Sequence, residues 1–251
     1  MAGMLARMLD AATMNETDQV LDLGCGTGAG TLKAAQRCKI GKALGVDISE
    51  PLLARAENGA REEGIGNAKF LLADARTHRF PRGGFDVLIS RIGMSFFSDS
   101  LAALENLKNA LRDAGRMSFV CWAAAKRNPW FYIPKRVAEA QLGPLPAGDP
   151  RAPGPTAFED IDYVTGMMSR AGLARIGAEQ IEIFLTQTDG ARGAARAASN
   201  VGPAARVMKA HNGKPADAEA IKEAVRREFA QFEHDGDPQV PALVNLFTCS
   251  A

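Results

Sequence analysis

Short apolar runs alternate with stretches of helical hydrophobic spacing through the first half of the chain. The apolar runs predict buried strands at 19–23, 43–46, 69–72, 85–90 and 116–122. The intervening spacing predicts helices at 31–38, 49–64 and 98–112, the second with an early proline typical of a helix start. Strands that alternate with helices in this way predict βαβ units and a parallel sheet covered by helices on both faces.

The regular alternation of predicted strands and helices ends after Trp122. Residues 123–155 are rich in Pro, Gly and Ala, and they predict a loop and a short helix over the binding face. The remaining pattern predicts a helix at 158–171, a strand at 175–185, mostly helix at 189–233 and a last strand at 239–249. We therefore expect one doubly wound α/β domain over 1–251, with 123–158 and 186–236 as insertions that form a helical cap.

The charge balance and the length of the apolar runs argue against nucleic-acid and membrane partners. The 251 residues carry 30 Lys and Arg against 29 Asp and Glu, and this balance argues against a nucleic-acid partner. The basic residues of 192–227 alternate with acidic residues and alanine, which is typical of a solvated helix face. No apolar run reaches the ~20 residues of a membrane span, and no signal peptide is evident, so we expect a cytoplasmic protein without membrane contact.

Cysteine usage indicates neither a metal site nor a disulfide framework. The four cysteines fit no zinc-binding spacing, and they are too few for a disulfide-stabilised chain of this length. The sequence predicts no metal and leaves the oligomeric state open, with a homodimer among the options.

A glycine-rich segment carries the strongest chemical signal. Residues 20–28 read VLDLGCGTG, a strand that enters a glycine loop and is followed by a helix. The G-x-G-x-x-G/A spacing of dinucleotide sites is also satisfied, by Gly24, Gly26 and Ala29. Asp22 distinguishes the two ligands, because a carboxylate repels a pyrophosphate and attracts the cationic amino group of a methionyl moiety. This favours S-adenosylmethionine over NAD(P), with a nicotinamide oxidoreductase kept as an alternative.

Two further acids follow neighbouring strands. Asp47 ends the second strand, where a carboxylate can accept both ribose hydroxyls of an adenosine cofactor. Its alternative role is a helix N-cap, although Ser49 occupies that position. Asp74 follows the third strand, where it can accept the adenine amine or serve only in a surface turn. Because ligands of such sheets bind outside the carboxyl ends of the strands, the three acids together predict one site.

These motifs resemble the class I S-adenosylmethionine-dependent methyltransferase superfamily, through VLDLGCGTG, the acid of GVDIS and the acid of LLADA. The segments SRIGMSFFSD, LKNALRDAGRMSFVCW, NPW and GPAAR are similar to a bacterial group of methyltransferase-domain proteins, and that similarity spans essentially the whole chain. The resemblance implies a Rossmann-like sheet of seven mostly parallel strands, the last one antiparallel.

The resemblance also implies a role for each matching position. The methionine-binding loop is matched by Asp22, Gly24, Cys25, Gly26, Thr27 and Gly28. The adenosine positions are matched by Asp47 for the ribose, Ile48 against the adenine, and Asp74 with Ala75 for the adenine edge. Ser90 and Arg91 lie where the fourth strand opens towards the methyl group. Members usually carry a longer lid segment before the first strand than the 18 residues found here, so we expect a more open site or one covered by later segments.

The expected reaction is methyl transfer to an oxygen, carbon or nitrogen of a small molecule. The donor is already activated, so the protein mainly positions the acceptor, and no residue is assigned as catalytic base. Arg91 can hold an anionic substrate group or pair with a nearby acid. An apolar substrate pocket is predicted from Phe96, Trp122, Trp130 and Tyr132, with ordinary packing as the alternative. A cofactor-binding module without turnover remains the second hypothesis.

Overall fold

The computed structural model describes residues 2–146, 148–185, 193, 195–196, 198, 202–234 and 237–251. Its helices are α1 (Ala2–Ala11), α2 (Ala29–Arg37), α3 (Glu50–Glu62), α4 (Ser100–Ala110), α5 (Pro129–Leu142), α6 (Ile161–Arg170), α7 (Pro203–Ala210) and α8 (Pro215–Phe229). Its strands are β1 (Gln19–Leu23), β2 (Lys42–Asp47), β3 (Ala68–Leu72), β4 (Phe85–Arg91), β5 (Leu111–Trp122), β6 (Ala174–Leu185), β7 (Glu233–His234), β8 (Asp237–Pro238) and β9 (Val240–Ser250). Part of the predicted cap segment 186–236 lies outside the described residues.

Seven strands form one sheet in the order β3-β2-β1-β4-β5-β9-β6, and β7 pairs with β8 separately. The pairs β1–β2, β2–β3, β1–β4 and β4–β5 are parallel, and the last strands run antiparallel. The predicted fold class is therefore confirmed. The strand order reverses direction between β1 and β4, and such a reversal opens a crevice at the carboxyl ends of the strands.

The chain divides into two compact units. The larger unit comprises Ala2–Trp122, Arg151–Gln180 and Asn245–Ala251, and the smaller unit comprises Ala123–Pro150 and Ile181–Val244. The smaller unit overlaps the two predicted insertions, and their role as a substrate cap stays a prediction.

Each unit has its own buried aromatic contacts. In the larger unit Phe119 stacks on Phe247 with ring centroids 5.0 Å apart and meets the edge of Phe158 at 6.5 Å. In the smaller unit Trp130 stacks on Phe229 at 6.0 Å. None of the helices in the described parts of the chain is long and apolar enough to cross a membrane.

Two predicted elements differ from the structure. The segment 123–155 contains the 14-residue helix α5 instead of a short helix, although Pro134 lies inside it. A proline within a helix removes one backbone hydrogen bond, and the burial of Phe131, Ile133 and Val137 offsets that loss. Strand β5 begins at Leu111, earlier than the predicted start at 116, and its pairing with β4 is irregular between Leu111 and Arg116.

Candidate functional site

The glycine loop lies between β1 and α2 and is tied to the end of β2. The backbone amides of Gly24 and Cys25 both donate to the carbonyl oxygen of Val46, at 2.9 and 3.1 Å. Gly24 has a φ of 64° and Gly26 a φ of 56°, a region that glycine adopts without the steric cost of a side chain. The sequence-predicted loop is therefore a sharp turn at the carboxyl end of β1.

Asp47 holds this loop by hydrogen bonds. Its Oδ2 accepts the amide of Gly26 at 2.8 Å, and its Oδ1 accepts the amide of Ser49 at 2.9 Å. Ser49 is the residue before α3, and its side chain makes no capping hydrogen bond. Because an ionised carboxylate offers about four lone-pair positions, Asp47 retains acceptor capacity on both oxygens.

Asp22 lies beneath the loop, with only 2% of its surface exposed. Its Oδ2 accepts the hydroxyl of Thr31 at 2.7 Å. Burial raises the pKa of the Asp22 carboxyl to about 6, against the opposing effects of the Thr31 hydrogen bond and the Arg91 charge. Asp22 does not line the cleft, and its hydrogen-bond partner Thr31 lies in α2.

We expect Asp22→Asn to stabilise the protein near neutral pH. The folded-state pKa of about 6 exceeds the ordinary 3.8, so the folded protein holds this proton more tightly and loses stability as pH rises between these values. The shift corresponds to about 3 kcal/mol, and the asparagine oxygen can still accept from Thr31. We expect urea unfolding at several pH values to show this change. Between pH 3.8 and about 6, the unfolding free energy of the variant should rise by roughly 1–3 kcal/mol relative to that of the wild type. A difference in unfolding free energy that does not vary with pH would contradict this assignment.

A cleft of about 640 Å³ opens at the carboxyl ends of β1 to β4, at the reversal of strand order. This volume is typical of small-molecule sites, which measure roughly 300–1,000 Å³. All of its lining residues belong to the larger unit. They are Leu23, Gly24, Gly26, Val46, Asp47, Ile48, Leu52, Ala73, Asp74, Ala75, Arg76, Arg91, Ile92, Gly93, Phe96, Phe97, Ser98 and Pro153.

The structure brings together eight of the predicted site residues at this cleft. They are Gly24, Gly26, Asp47, Ile48, Asp74, Ala75, Arg91 and Phe96. Other predicted residues support the loop or lie elsewhere, and they do not line the cleft: Asp22, Cys25, Thr27, Gly28, Ser90, Trp122, Trp130 and Tyr132. Ser90, for example, is fully buried and donates its hydroxyl to the carbonyl oxygen of Leu23 at 2.8 Å. Trp130 and Tyr132 belong to the smaller unit.

Arg76 is a cleft residue that sequence reasoning missed. Its guanidinium lies 3.5 Å from Oδ2 of Asp74 and donates to the hydroxyl of Ser98 at 2.9 Å. Oδ1 of Asp74 accepts the backbone amide of Arg76 at 2.9 Å. Arg76 thereby orients the carboxylate predicted to accept the adenine amine. A basic residue two positions after the acid is the only sequence signal for this role.

The segment after β4 forms another part of the cleft wall. Ile92 has a φ of 72°, which is rare for a β-branched residue and typical of strained functional segments. A short 3₁₀ helix, Gly93–Phe96, follows it. The carbonyl oxygen of Ser95 accepts the amide of Gly154 at 3.0 Å, and this long-range contact brings Pro153 to the cleft.

Comparison with known proteins finds similarity over the part of the chain that contains the cleft residues of β1 to β4. Residues 20–115 match the methyltransferase domain family. Nocamycin O-methyltransferase of Saccharothrix syringae is 32% identical over 143 residues, which cover 57% of this chain and 48% of that protein. Aklanonic acid methyltransferase of Streptomyces sp. (strain C5) is 32% identical over 114 residues, covering 45% and 52% respectively. The chain thus spans about half the length of these curated relatives.

A solved structure has a similar fold. The YcgJ protein of Bacillus subtilis superposes with a TM-score of 0.62 at 19% identity, covering 100% of this chain and 98% of that one. The domain match and these relatives show that residues 20–115 are similar to methyltransferase domains.

Proposed function

We propose that this protein transfers a methyl group from S-adenosylmethionine to a small-molecule acceptor by in-line displacement. The observation that carries the proposal is the pair of carboxylates, Asp47 and Asp74, on the wall of the cleft beside the glycine loop. Asp47 pairs with Leu72 in the β2–β3 register, and its carbonyl oxygen accepts the amide of Ala73 at 3.1 Å. The two acids therefore lie at the carboxyl ends of adjacent strands, as a ribose acceptor and an adenine acceptor require.

The chain's own groups suit an adenosine with a cationic tail. Asp47 already accepts two backbone amides and keeps lone pairs on both oxygens for two ribose hydroxyls. Ile48, 77% exposed, offers an apolar surface beside this carboxylate to an adenine ring. When bound, S-adenosylmethionine supplies an activated methyl group on a sulfonium, and the protein's contribution is to bind, orient and shield the acceptor.

The loop geometry favours this cofactor over a dinucleotide. In dinucleotide sites the second glycine lets the backbone approach the pyrophosphate. Here the amide of Gly26 donates to Asp47, and the carboxylate of Asp22 lies beneath the same loop. The Asp22 carboxylate beneath the loop opposes a pyrophosphate and attracts the positive charges of S-adenosylmethionine.

Thermal unfolding with candidate ligands tests this proposal. We expect S-adenosylhomocysteine to raise the melting temperature, since a ligand at 100 times its Kd stabilises by about 2.7 kcal/mol, and we expect NAD(H) and NADP(H) to leave it unchanged. Transfer of a tritiated methyl group from S-adenosylmethionine into a metabolite panel is the expected second result.

The outcomes separate the alternative functions. Protection by NAD(H) alone would assign the chain to nicotinamide chemistry. Binding of S-adenosylhomocysteine without methyl transfer to any metabolite would leave a binding module without turnover. If neither cofactor protects the protein, the proposal is wrong.

A further inference from the structure

Arg91 has a distinctive position at the cleft. It is the last residue of β4, next to the strand-order reversal, and it lines the cleft directly. The residue before it, Ser90, is fully buried, and Arg91 itself is half-buried. A guanidinium therefore lies at the point where the sheet opens into the proposed site.

The guanidinium of Arg91 differs from that of Arg76, the other arginine of the cleft wall. Arg76 is held by Asp74 and Ser98. The Arg91 guanidinium makes no hydrogen bond or ion pair with any of the described residues, and its charge acts on Asp22 only through space. The Asp22 carboxylate is buried and already accepts from Thr31. A half-buried guanidinium with five donors and no paired acceptor is suited to an anionic ligand.

The surface beside Arg91 is apolar. Ile92, Phe96, Phe97 and Pro153 line the same cleft, and Phe96 is 54% exposed. The Ser95–Gly154 hydrogen bond holds the segment with Pro153 against the short helix that carries Phe96. An exposed aromatic side chain in a cleft is typical of a ligand-binding surface.

We propose that Arg91 binds an anionic oxygen group of the methyl acceptor, and that the acceptor is an apolar small molecule that carries a carboxylate. The proposal rests on the proposed function and names the substrate class of the same site. The guanidinium binds the carboxylate, and the apolar side chains contact the body of the molecule.

The cofactor also carries an anionic group, the carboxylate of its methionyl part, that a guanidinium can bind. Its expected position is over the glycine loop, where the backbone approaches the ligand, whereas Arg91 is the last residue of the neighbouring strand β4. We therefore assign Arg91 to the acceptor, and the experiment measures the two carboxylates separately.

The test uses calorimetry on the full chain and on Arg91→Gln and Arg91→Lys. S-adenosylhomocysteine is titrated first, and 4-hydroxybenzoate or neutral 4-hydroxybenzamide is then titrated into the cofactor-saturated protein. We expect the wild type to bind the acid about tenfold more tightly than the amide, in keeping with one charge-assisted contact. Arg91→Gln should abolish this preference and Arg91→Lys should keep part of it, with cofactor affinity changed less than about threefold in both.

A control variant shows whether the loss of acid preference is specific to Arg91. Arg79→Gln removes an exposed guanidinium that does not line the cleft, and it should keep the full preference for the acid. Loss of cofactor affinity in Arg91→Gln with the acid preference intact would assign Arg91 to the methionyl carboxylate and overturn the proposal. Equal or undetectable binding of acid and amide by the wild type would also overturn it. Failure of S-adenosylhomocysteine to bind the wild type would instead overturn the proposed function on which it rests.

Discussion

Asp47→Asn is expected to weaken binding of S-adenosylhomocysteine by roughly 30- to 1,000-fold, or about 2–4 kcal/mol. Hydrogen bonds to a charged group contribute about 1.5–3 kcal/mol each, and the ribose would donate two of them to Asp47. The asparagine retains one oxygen, but the amides of Gly26 and Ser49 compete for it. Isothermal titration calorimetry measures the change directly.

The matched control for Asp47→Asn is Glu57→Gln, which removes one negative charge from helix α3 outside the cleft wall. We expect it to leave the cofactor affinity unchanged within about twofold, because exposed charges interact weakly at this range. Unfolding of both apo proteins shows whether each variant retains its fold. Unchanged affinity in a folded Asp47→Asn protein would remove Asp47 from the ribose site.

The sequence predicted those parts of the site that depend on the residue types within a short stretch of chain. The glycines of the loop need a positive φ, and the apolar run before them predicts β1. Asp47 ends β2 and Asp74 follows β3, so the parallel arrangement alone places them at one edge of the sheet. Short-range patterns therefore predicted that both acids would line one cleft, and their role as adenosine acceptors stays a prediction.

The parts that sequence reasoning missed depend on contacts between distant segments. Pro153 reaches the cleft through the hydrogen bond from Gly154 to Ser95, which no local pattern indicates. Arg76 orients Asp74 because the turn after β3 brings its side chain back to Ser98. The extent of α5 was also missed, since burial of its apolar face overrides the local effect of Pro134.

Asp22 shows a different limit of sequence reasoning. Its type and spacing indicated an acid near the loop, and the structure has one there. The pattern could not show that its Oδ2 would accept from Thr31 or that burial would raise its pKa to about 6. The burial of Asp22 depends on close packing by residues around the loop. Gly30 packs so closely that an added Cβ would lie 2.7 Å from the Asp22 carboxylate.

Gly24→Ala is expected to destabilise the apo protein by about 2–5 kcal/mol. The left-handed backbone at φ 64° costs alanine roughly 1–2 kcal/mol, and overpacking adds about 1–3 kcal/mol. The new Cβ would lie 2.9 Å from the Cα of Gly93, a backbone atom that can move only with the segment after β4. Urea unfolding of the apo protein measures this cost.

Gly26→Ala is the matched variant, because its φ of 56° is similar and its Cβ would meet no atom within 4 Å. We expect it to lose only the backbone cost of roughly 1–2 kcal/mol in the apo protein. Gly26 lines the cleft, so the added methyl group would occupy space that the cofactor needs and should weaken S-adenosylhomocysteine binding by about tenfold or more. The two variants thus separate the close contact between Gly24 and Gly93 from the ligand's need for open space at Gly26. Wild-type cofactor affinity in Gly26→Ala would show that the ligand does not approach this part of the loop. Equal unfolding free energies of the two apo variants would show that the backbone at Gly93 moves without a measurable cost.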